Sequence, residues 1–283
     1  MKLSGKTALF PLAFAMLAVA ASGCNDNDDS SCPEKEGQRL VTKVETRTNY
    51  VDERWEDFIP VGDYDLTEMK YNEQGELTEW WDNGVCTSRY TYTEGKILVR
   101  DEPDLGPYEH ILSPEGKVVE TVYADGSRDK LVYDEKGQCV EINHKDGYSI
   151  LFQWTDDQVT SMRYPDAPDL PTYRFEYTDI PKKSNAAYLR FMMQNTGGYF
   201  VDMEISGHLD ISSDKYLPAK AVLEYEDGYM IGYEATYDLN PDGTVKTMHV
   251  TMNDWLKSSP ETTYLAYKGD VTFAYTTKTG RNS

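Results

Sequence analysis

The sequence predicts an all-β protein: an antiparallel meander of repeated hairpins in one long, twisted and curved sheet or open barrel, with one short helix insert. Three observations support this prediction. A turn that ends in glycine recurs at a nearly constant spacing, apolar and polar residues alternate before each turn, and tight turns of a second kind lie between the first. Self-similarity at a fixed period indicates a repeated structural unit, and a period of two is typical of strands with one buried face.

The recurring turn is a short acidic or proline-containing stretch that ends in glycine. The first four turn glycines are 20, 21 and 21 residues apart, Asp157 takes the glycine's place after another 20, and a later copy reads NPDG. A polar residue at the first turn position accepts a backbone hydrogen bond, and the glycine takes the left-handed conformation that closes the turn in a bulge. The predicted structural turn glycines are Gly75, Gly95, Gly116, Gly137 and Gly243.

A positive φ is expected at Gly137 but not at Gly228. A β-branched residue is strained in the left-handed region. We therefore expect valine to cost about 1–2 kcal/mol at Gly137 and less at Gly228.

The residues around each turn predict which positions face the core. Cys139 and His110 fall at core-facing positions, so we expect a cysteine that packs as a small hydrophobe and a buried, hydrogen-bonded histidine. Second turns, ending at Gly84, Gly106, Gly126 and Gly147, join successive hairpins. The residues two places after the turn are Leu77, Ile97, Val118, Cys139, Val159 and Val245, and those just before it are Tyr71, Tyr92, Leu112, Tyr133, Trp154 and Leu239.

The repeat is interrupted between about residues 182 and 215. Asn185 can cap a helix through NAAYLRFMMQN, in which Tyr188, Phe191 and Met192 share one stripe. We expect this helix to cover the apolar face of the sheet; a methionine-rich ligand groove is the alternative. The preceding YPDAPDLP is expected to be a loop, and strands resume after the insert.

The N-terminus has the pattern of a lipoprotein signal peptide over residues 1–23. Its apolar run is too short for a membrane span, and the segment ASGC that ends at Cys24 resembles the lipobox of bacterial lipoproteins. That resemblance implies that Cys24 is lipidated and anchors the protein to a membrane; an ordinary secretory signal is the alternative. Residues 24–37 are predicted to be an acidic, disordered tether, and residues 38–283 a single β-repeat domain.

Two further resemblances concern location and family. The acidic run NDNDDSS resembles the surface-export signal of Bacteroidota lipoproteins, which implies the outer face of the outer membrane. Tyr133-Asp134-x-x-Gly137-x-Cys139 resembles the YD repeat of Rhs and teneurin-type shells. The segment from Ser213 to Pro218, SDKYLP, resembles the second half of an uncharacterised family of Bacteroidota lipoproteins built on such hairpins. The resemblance covers roughly residues 40 to 275 and carries no catalytic residues.

Charge and motif content exclude several classes of function. The formal net charge is −21, and loss of the signal removes two lysines and no acids, so nucleic acid is an unfavourable partner. His110, His144, His208 and His249 do not converge on a motif, and no catalytic, nucleotide or zinc signature is present. No catalytic residue, cofactor or metal site is therefore predicted. Cys32, Cys86 and Cys139 allow at most one disulfide within the chain, and the sequence leaves the pairing open.

Aromatic residues supply the only indication of a ligand. The chain has 22 Tyr and 5 Trp, most of which are explained by sheet pairing. Trp81 falls in the outward phase of its strand and is the predicted ligand contact, with a sugar ring as one candidate. The sequence thus favours a non-enzymatic, lipid-anchored binding module with a glycan or envelope-protein partner. The alternative is a carrier or enzyme that uses the concave face of the sheet for a lipid or other hydrophobic ligand.

Overall fold

The computed structural model describes residues 39–56, 64–101, 107–193, 201–209, 211 and 215–277. The predicted signal peptide, Cys24 and the tether lie outside these ranges. So do Cys32, Gly106 and the start of the SDKYLP segment.

The described chain consists almost entirely of strands. Its two helices are α1 (Tyr188–Met192) and α2 (Val201–Ile205). Within the described ranges, no helix is long and apolar enough to cross a membrane. The strands are β1 (Arg39–Val51), β2 (Tyr64–Tyr71), β3 (Leu77–Asp82), β4 (Val85–Thr93), β5 (Lys96–Asp101), β6 (Pro107–Leu112), β7 (Val118–Val122), β8 (Arg128–Tyr133), β9 (Cys139–Asn143), β10 (Ser149–Thr155), β11 (Gln158–Arg163), β12 (Thr172–Pro181), β13 (Tyr216–Glu224), β14 (Tyr229–Leu239), β15 (Val245–Leu256) and β16 (Ser259–Thr277).

All sixteen strands form one closed barrel in sequence order. Each strand pairs antiparallel with its neighbour along the chain, and β1 closes the barrel by pairing with β16 from Arg39↔Thr277 to Val51↔Tyr267. The predicted all-β meander is confirmed. The sheet is not only curved or partly open, as predicted, but closes completely into a barrel. Closure pairs the backbone groups of the two terminal strands, which would otherwise be open sheet edges.

The repeat turns have the predicted backbone conformation. φ is 76° at Gly137, and Asp157, which replaces a glycine, has φ of 64°. The side chain of Asp134 accepts hydrogen bonds from the backbone N–H groups of Lys136 and Gln138, both at 2.9 Å. The expected contrast with Gly228 is wrong, because Gly228 also has a positive φ, 82°. Gly75, Gly95, Gly116 and Gly243 have φ of 78°, 73°, 82° and 81°.

The tyrosine before a repeat turn links its hairpin to another part of the wall. The Tyr133 hydroxyl donates to the Val118 carbonyl at 2.6 Å, and Val118 lies two residues after the preceding turn glycine. A bulge interrupts the ladder beside most of these turns, though not beside the one at Gly95. In this copy it lies between Val132 and Tyr133, so hydroxyl and carbonyl meet where regular pairing stops. The same type of bond joins Trp154 Nε1 to Cys139, Tyr177 to Val159, Tyr275 to Val245, Tyr71 to Val41 and Tyr237 to Pro218.

The barrel has two distinct ends. The repeat-turn end carries the bulged turns, the start of β1 and the end of β16. The rim end carries the tight turns, among them those at Gly84, Gly126, Gly147 and Gly228. The segment between β12 and β13 begins and ends at the repeat-turn end, because Pro181 pairs with Tyr216 there.

The described residues of that segment, 182–193, 201–209, 211 and 215, are called the plug below, and its helices α1 and α2 lie inside the barrel. The Tyr188 ring of α1 packs at 5.1 Å from Phe273 in β16, and the carbonyl of His208, after α2, accepts from the N–H of Val118 in β7 at 2.9 Å. Since β16 and β7 belong to different parts of the wall, the plug lies across the interior. Its buried residues are Ala186, Ala187, Tyr188, Leu189, Met192, Met193, Met203, Ile205 and Leu209.

Two expectations for the insert need correction. It contains two short helices, and the helix near Asn185 is not capped by that residue. Ala187 stands at the N-cap without a side-chain hydrogen bond. Asn185 instead accepts from the N–H of Val41 at 2.7 Å and donates to the carbonyl of Ile205 at 2.7 Å. Its side chain therefore joins β1 to the end of α2, a contact that depends on the closed barrel.

Candidate functional site

Trp81, the predicted ligand contact, lies on the outer wall in β3. Its side chain is half-buried rather than exposed. Lys70 Nζ lies 4.2 Å from the centre of the ring, and the indole N–H donates to Glu79 Oε2 at 2.8 Å. Lys70 thus covers one face of the ring, and Glu79 takes up the only hydrogen-bond donor of the indole. These contacts leave less of Trp81 for a ligand than the sequence suggested.

The histidines occupy four separate environments. His249 lies on the outer wall, where Nδ1 is 2.6 Å from Asp270 Oδ1 and Nε2 is 3.2 Å from Asp238 Oδ2. The hydrogen bond to Asp270, aided by Asp238, raises the pKa of His249. His208 binds the carbonyl of Gly116 through Nδ1 at 2.6 Å, and His144 stacks on Tyr148 with ring centres 4.4 Å apart.

His110 is buried on the inner face, as predicted, and is 2% exposed. Its Nδ1 lies 2.9 Å from Thr121 Oγ1, but its Nε2 has no hydrogen-bond partner among the described residues. Burial, with a smaller effect of His208, lowers the pKa of His110 to about 3. The imidazole is therefore neutral at physiological pH, and only half of its hydrogen-bonding capacity is used.

An arc of tyrosines lines the inner face at the rim end. Three members lie in the inward phase of a strand, the other four lie just beyond a strand end at the rim end, and all but Tyr173 are half-buried. Neighbouring rings along the arc are close, with centres 5.9 Å apart for Tyr108 and Tyr123, 6.0 Å for Tyr148 and Tyr164, and 6.2 Å for Tyr164 and Tyr173. We call this set the tyrosine rim: Tyr108, Tyr123, Tyr148, Tyr164, Tyr173, Tyr225 and Tyr229.

Two buried carboxylates belong to the tyrosine rim. Asp129 is fully buried; it accepts from the Tyr123 hydroxyl at 2.6 Å and from the N–H of Lys145 at 2.7 Å. Asp254 is 2% exposed; it accepts from the Tyr229 hydroxyl at 2.7 Å and from Arg54 through two bonds of 3.1 and 3.3 Å. Buried carboxylates require such donors, because desolvation of an unpaired charge is costly.

Sequence reasoning missed the tyrosine rim although a signal was present. Asp129 lies two residues before the core residue Leu131, and Asp254 lies two residues after Met252, so each puts a charge in an inward phase that is otherwise apolar. The abundance of carboxylates, 49 in all, concealed these two.

Burial raises the pKa of several phenols of the tyrosine rim. Burial raises the pKa of Tyr164 to about 12; burial, followed by the hydrogen bond to Asp254, raises that of Tyr229. The hydroxyls thus stay protonated at neutral pH and can both donate and accept hydrogen bonds. Arg190 of α1 is largely buried beneath Tyr164 and Tyr173, and its burial lowers its pKa.

The outer wall is charged over most of the strands described. Its ion pairs join neighbouring strands and lie in the outward phase, beside inward core residues such as Met69 and Thr121. Exposed pairs of this kind contribute little to stability, but they define the wall as a polar surface. The cross-strand pairs are Lys70–Glu79, Lys96–Glu109, Arg128–Glu120, Arg174–Glu224 and Lys220–Glu234, with N–O distances from 2.7 to 3.3 Å.

Within the part of the chain that the structure describes, no group of three or more His, Cys, Asp or Glu side chains is arranged to hold a metal ion. Cys139 is buried in β9 and Cys86 is half-buried in β4. Cys139 packs among the apolar core residues, as the sequence predicted.

Comparison with solved structures finds a similar barrel. A porin-like protein from Bacteroides uniformis matches with a TM-score of 0.58 and 14% identity over 83% of this chain and 98% of that one. A porin-like protein from Bacteroides vulgatus gives a TM-score of 0.47 and 11% identity over 84% and 99%. A chain in a TcdB2–TccC3–Cdc42 complex gives 0.25 and 11% over 72% and 14%. At such identities the first match shows a shared fold, and the other two carry no argument.

Comparison with family models gives no match, and comparison with curated proteins gives none either.

Proposed function

We propose that this protein is a non-enzymatic binding module of the cell envelope. A lipid at Cys24 holds it to the membrane, and its barrel lies in the aqueous phase outside the bilayer. The observation that carries the proposal is the distribution of polarity in the barrel. Charged side chains cover the outer wall, while apolar side chains and the plug fill the inside.

This polarity is the reverse of what a barrel embedded in lipid requires. Lipid-facing strands alternate apolar residues outward with polar ones inward, and a Lys or Arg near the middle of the bilayer costs about 2–4 kcal/mol. Here Lys220 and Glu234 face outward from the middle of β13 and β14, and the neighbouring Ala221 faces inward and is fully buried. A pore through the membrane is therefore not supported, although a solved relative of similar fold is described as porin-like.

The filled interior disfavours the carrier alternative. A carrier of lipids needs a roomy apolar cavity, but the plug places Met192, Met203 and Ile205 inside the barrel, each at most 1% exposed. The inner face beyond the plug carries tyrosines and carboxylates, which suit a polar ligand better than an acyl chain. Recognition at the rim end accordingly fits the geometry better than storage inside the barrel.

The envelope location rests on the lipobox-like segment ending at Cys24 and on the fold shared with a Bacteroides porin-like protein. The tether joins the domain at the start of β1, which lies at the repeat-turn end.

Fractionation of cells that express the wild type and Cys24→Ala tests this proposal. We expect the wild type in the membrane fraction and the variant in the aqueous fraction, with an unchanged β-type circular dichroism spectrum. Cys86→Ala, which changes a cysteine within the barrel, serves as the control and should stay with the membrane. A folded Cys24→Ala protein that remains in the membrane without detergent would contradict the water-facing wall. Turnover of a screened polysaccharide by the purified barrel would contradict the non-enzymatic assignment.

A further inference from the structure

We propose that the tyrosine rim, in the sector from β6 to β12, binds a neutral polyhydroxylated ring, such as a sugar residue of a glycan. This inference rests on the proposed function, because it assigns a site and a ligand class to the binding module. It moves the predicted contact from Trp81 on the outer wall to the inner face at the rim end.

The sector presents two groups of neighbouring tyrosine rings. Tyr108 and Tyr123 lie at one side, and Tyr148, Tyr164 and Tyr173 at the other, with neighbouring ring centres about 6 Å apart within each group. All but Tyr173 are half-buried, so they pack on the wall and still expose part of each ring. Aromatic rings with a polar edge combine apolar contact with hydrogen bonding, as recognition of amphipathic ligands requires.

Polar groups lie among and beneath these rings. Asp129 lies between the two groups, within hydrogen-bonding distance of Tyr123 and 4.0 Å from His144 Nε2. Deeper in the barrel, the His110 ring meets Tyr108 edge to face with centres 5.2 Å apart. Its buried Nε2 lacks a hydrogen-bond partner among the described residues. Asp129 and His110 therefore make the layer beneath the rings polar, which favours a ligand with hydroxyl groups over an acyl chain.

Charge selects among possible ligands. An anion is disfavoured, because the sector contains the buried Asp129 and the whole chain carries −21. A cation is disfavoured, because Lys145 Nζ already lies 5.3 Å from the centre of the Tyr123 ring, where a cationic ligand would bind. An acyl chain gains nothing from tyrosine hydroxyls and a carboxylate. A sugar ring satisfies all three conditions, because its C–H faces pack on the partly exposed tyrosine rings while its hydroxyls pair with the phenol groups at their edges.

The test uses the Cys24→Ala protein and an array of neutral hexose and N-acetylhexosamine oligosaccharides, with sulfated oligosaccharides and tetramethylammonium as charged probes. We expect binding to at least one neutral oligosaccharide. Tyr148→Ala and Tyr164→Ala should each weaken it by roughly 10-fold, and Trp81→Ala should leave it within about 2-fold. Tyr148→Phe, which keeps the ring, should retain most of the affinity and so separate loss of stacking from misfolding.

Three outcomes would overturn the inference: no neutral saccharide bound at millimolar concentration, binding of the charged probes alone, or a larger loss from Trp81→Ala than from the tyrosine variants. Each of these is independent of the fractionation result. If the Cys24→Ala protein is found in the aqueous fraction but binds no neutral saccharide, the ligand assignment is wrong and the envelope proposal is unaffected.

Discussion

The Tyr133 hydroxyl offers the most direct test of how the repeat stabilises the barrel. Tyr133→Phe removes one oxygen and keeps the ring beside Lys117, whose Nζ lies 5.5 Å from its centre. The variant loses the hydrogen bond of 2.6 Å from the Tyr133 hydroxyl to the Val118 carbonyl. Val118 is fully buried. Such a bond contributes about 0.5–1.5 kcal/mol, and an orphaned buried acceptor costs about 1–3 kcal/mol. We therefore expect the free energy of unfolding to fall by about 1–2 kcal/mol.

Tyr92→Phe is the matched control. Tyr92 precedes the repeat turn at Gly95, where the ladder has no bulge. Its buried hydroxyl lies near the backbone of Leu77 but makes no well-formed hydrogen bond within the described part of the chain. Removal of an unsatisfied polar atom should be neutral or slightly stabilising. Each variant thus loses a phenol oxygen from the residue before a repeat turn, but only Tyr133→Phe loses a well-formed hydrogen bond.

Urea unfolding of the two variants on the Cys24→Ala background measures the difference. The slope against denaturant should stay constant, since the exposed surface on unfolding is unchanged. A loss of 1–2 kcal/mol corresponds to a fall of very roughly 2–8 °C in Tm for a domain of this size. Equal effects of Tyr133→Phe and Tyr92→Phe, or no effect of Tyr133→Phe, would refute the account of the repeat tyrosine as a link between hairpins.

Two further predictions concern pH and backbone strain. Because Asp270 and Asp238 raise the pKa of His249, His249 should stabilise the fold fully below its unfolded pKa near 6.5 and lose that contribution as the pH rises through the folded value. The urea midpoint of the wild type should therefore exceed that of His249→Gln at pH 5–6 by more than at pH 9, and an equal difference at both would contradict the assignment. Gly137→Val and Gly228→Val should each cost about 1–2 kcal/mol, because φ is 76° and 82° and valine is strained in that region. A markedly smaller cost at Gly228 in the same unfolding assay would show that φ does not control the penalty.

Local chemistry explains why so much of the wall could be predicted. The conformation of a repeat turn depends on a few adjacent residues, as at Asp134 and Gly137, so the sequence suffices to predict the turn and its positive φ. The two-residue period then predicts which side chains face the same way, and Cys139 lies buried accordingly. Gly228 marks the limit of this reasoning, because the tight turns also use positive φ and their motif is less regular.

The candidate site was less predictable because its parts are far apart in sequence. His110, Asp129 and Tyr148 come from different hairpins, and the period of the repeat does not indicate that they form one polar sector. Trp81 looked like an exposed ring because Lys70 and Glu79, on the same outer face, cover it only when β2 and β3 pair in the observed register.

The sequence by itself determined the meander, the turns, the inward positions and the bulky residue, a tyrosine in three copies, that precedes each repeat turn, because each follows from residues close together along the chain. The tertiary structure decided barrel closure, the position of the plug and the location of the tyrosine rim. Closure depends on pairing β1 with β16, and Asn185 bonds to Val41, 144 residues away. Such contacts are fixed by the number, twist and stagger of all sixteen strands together, which no local pattern encodes.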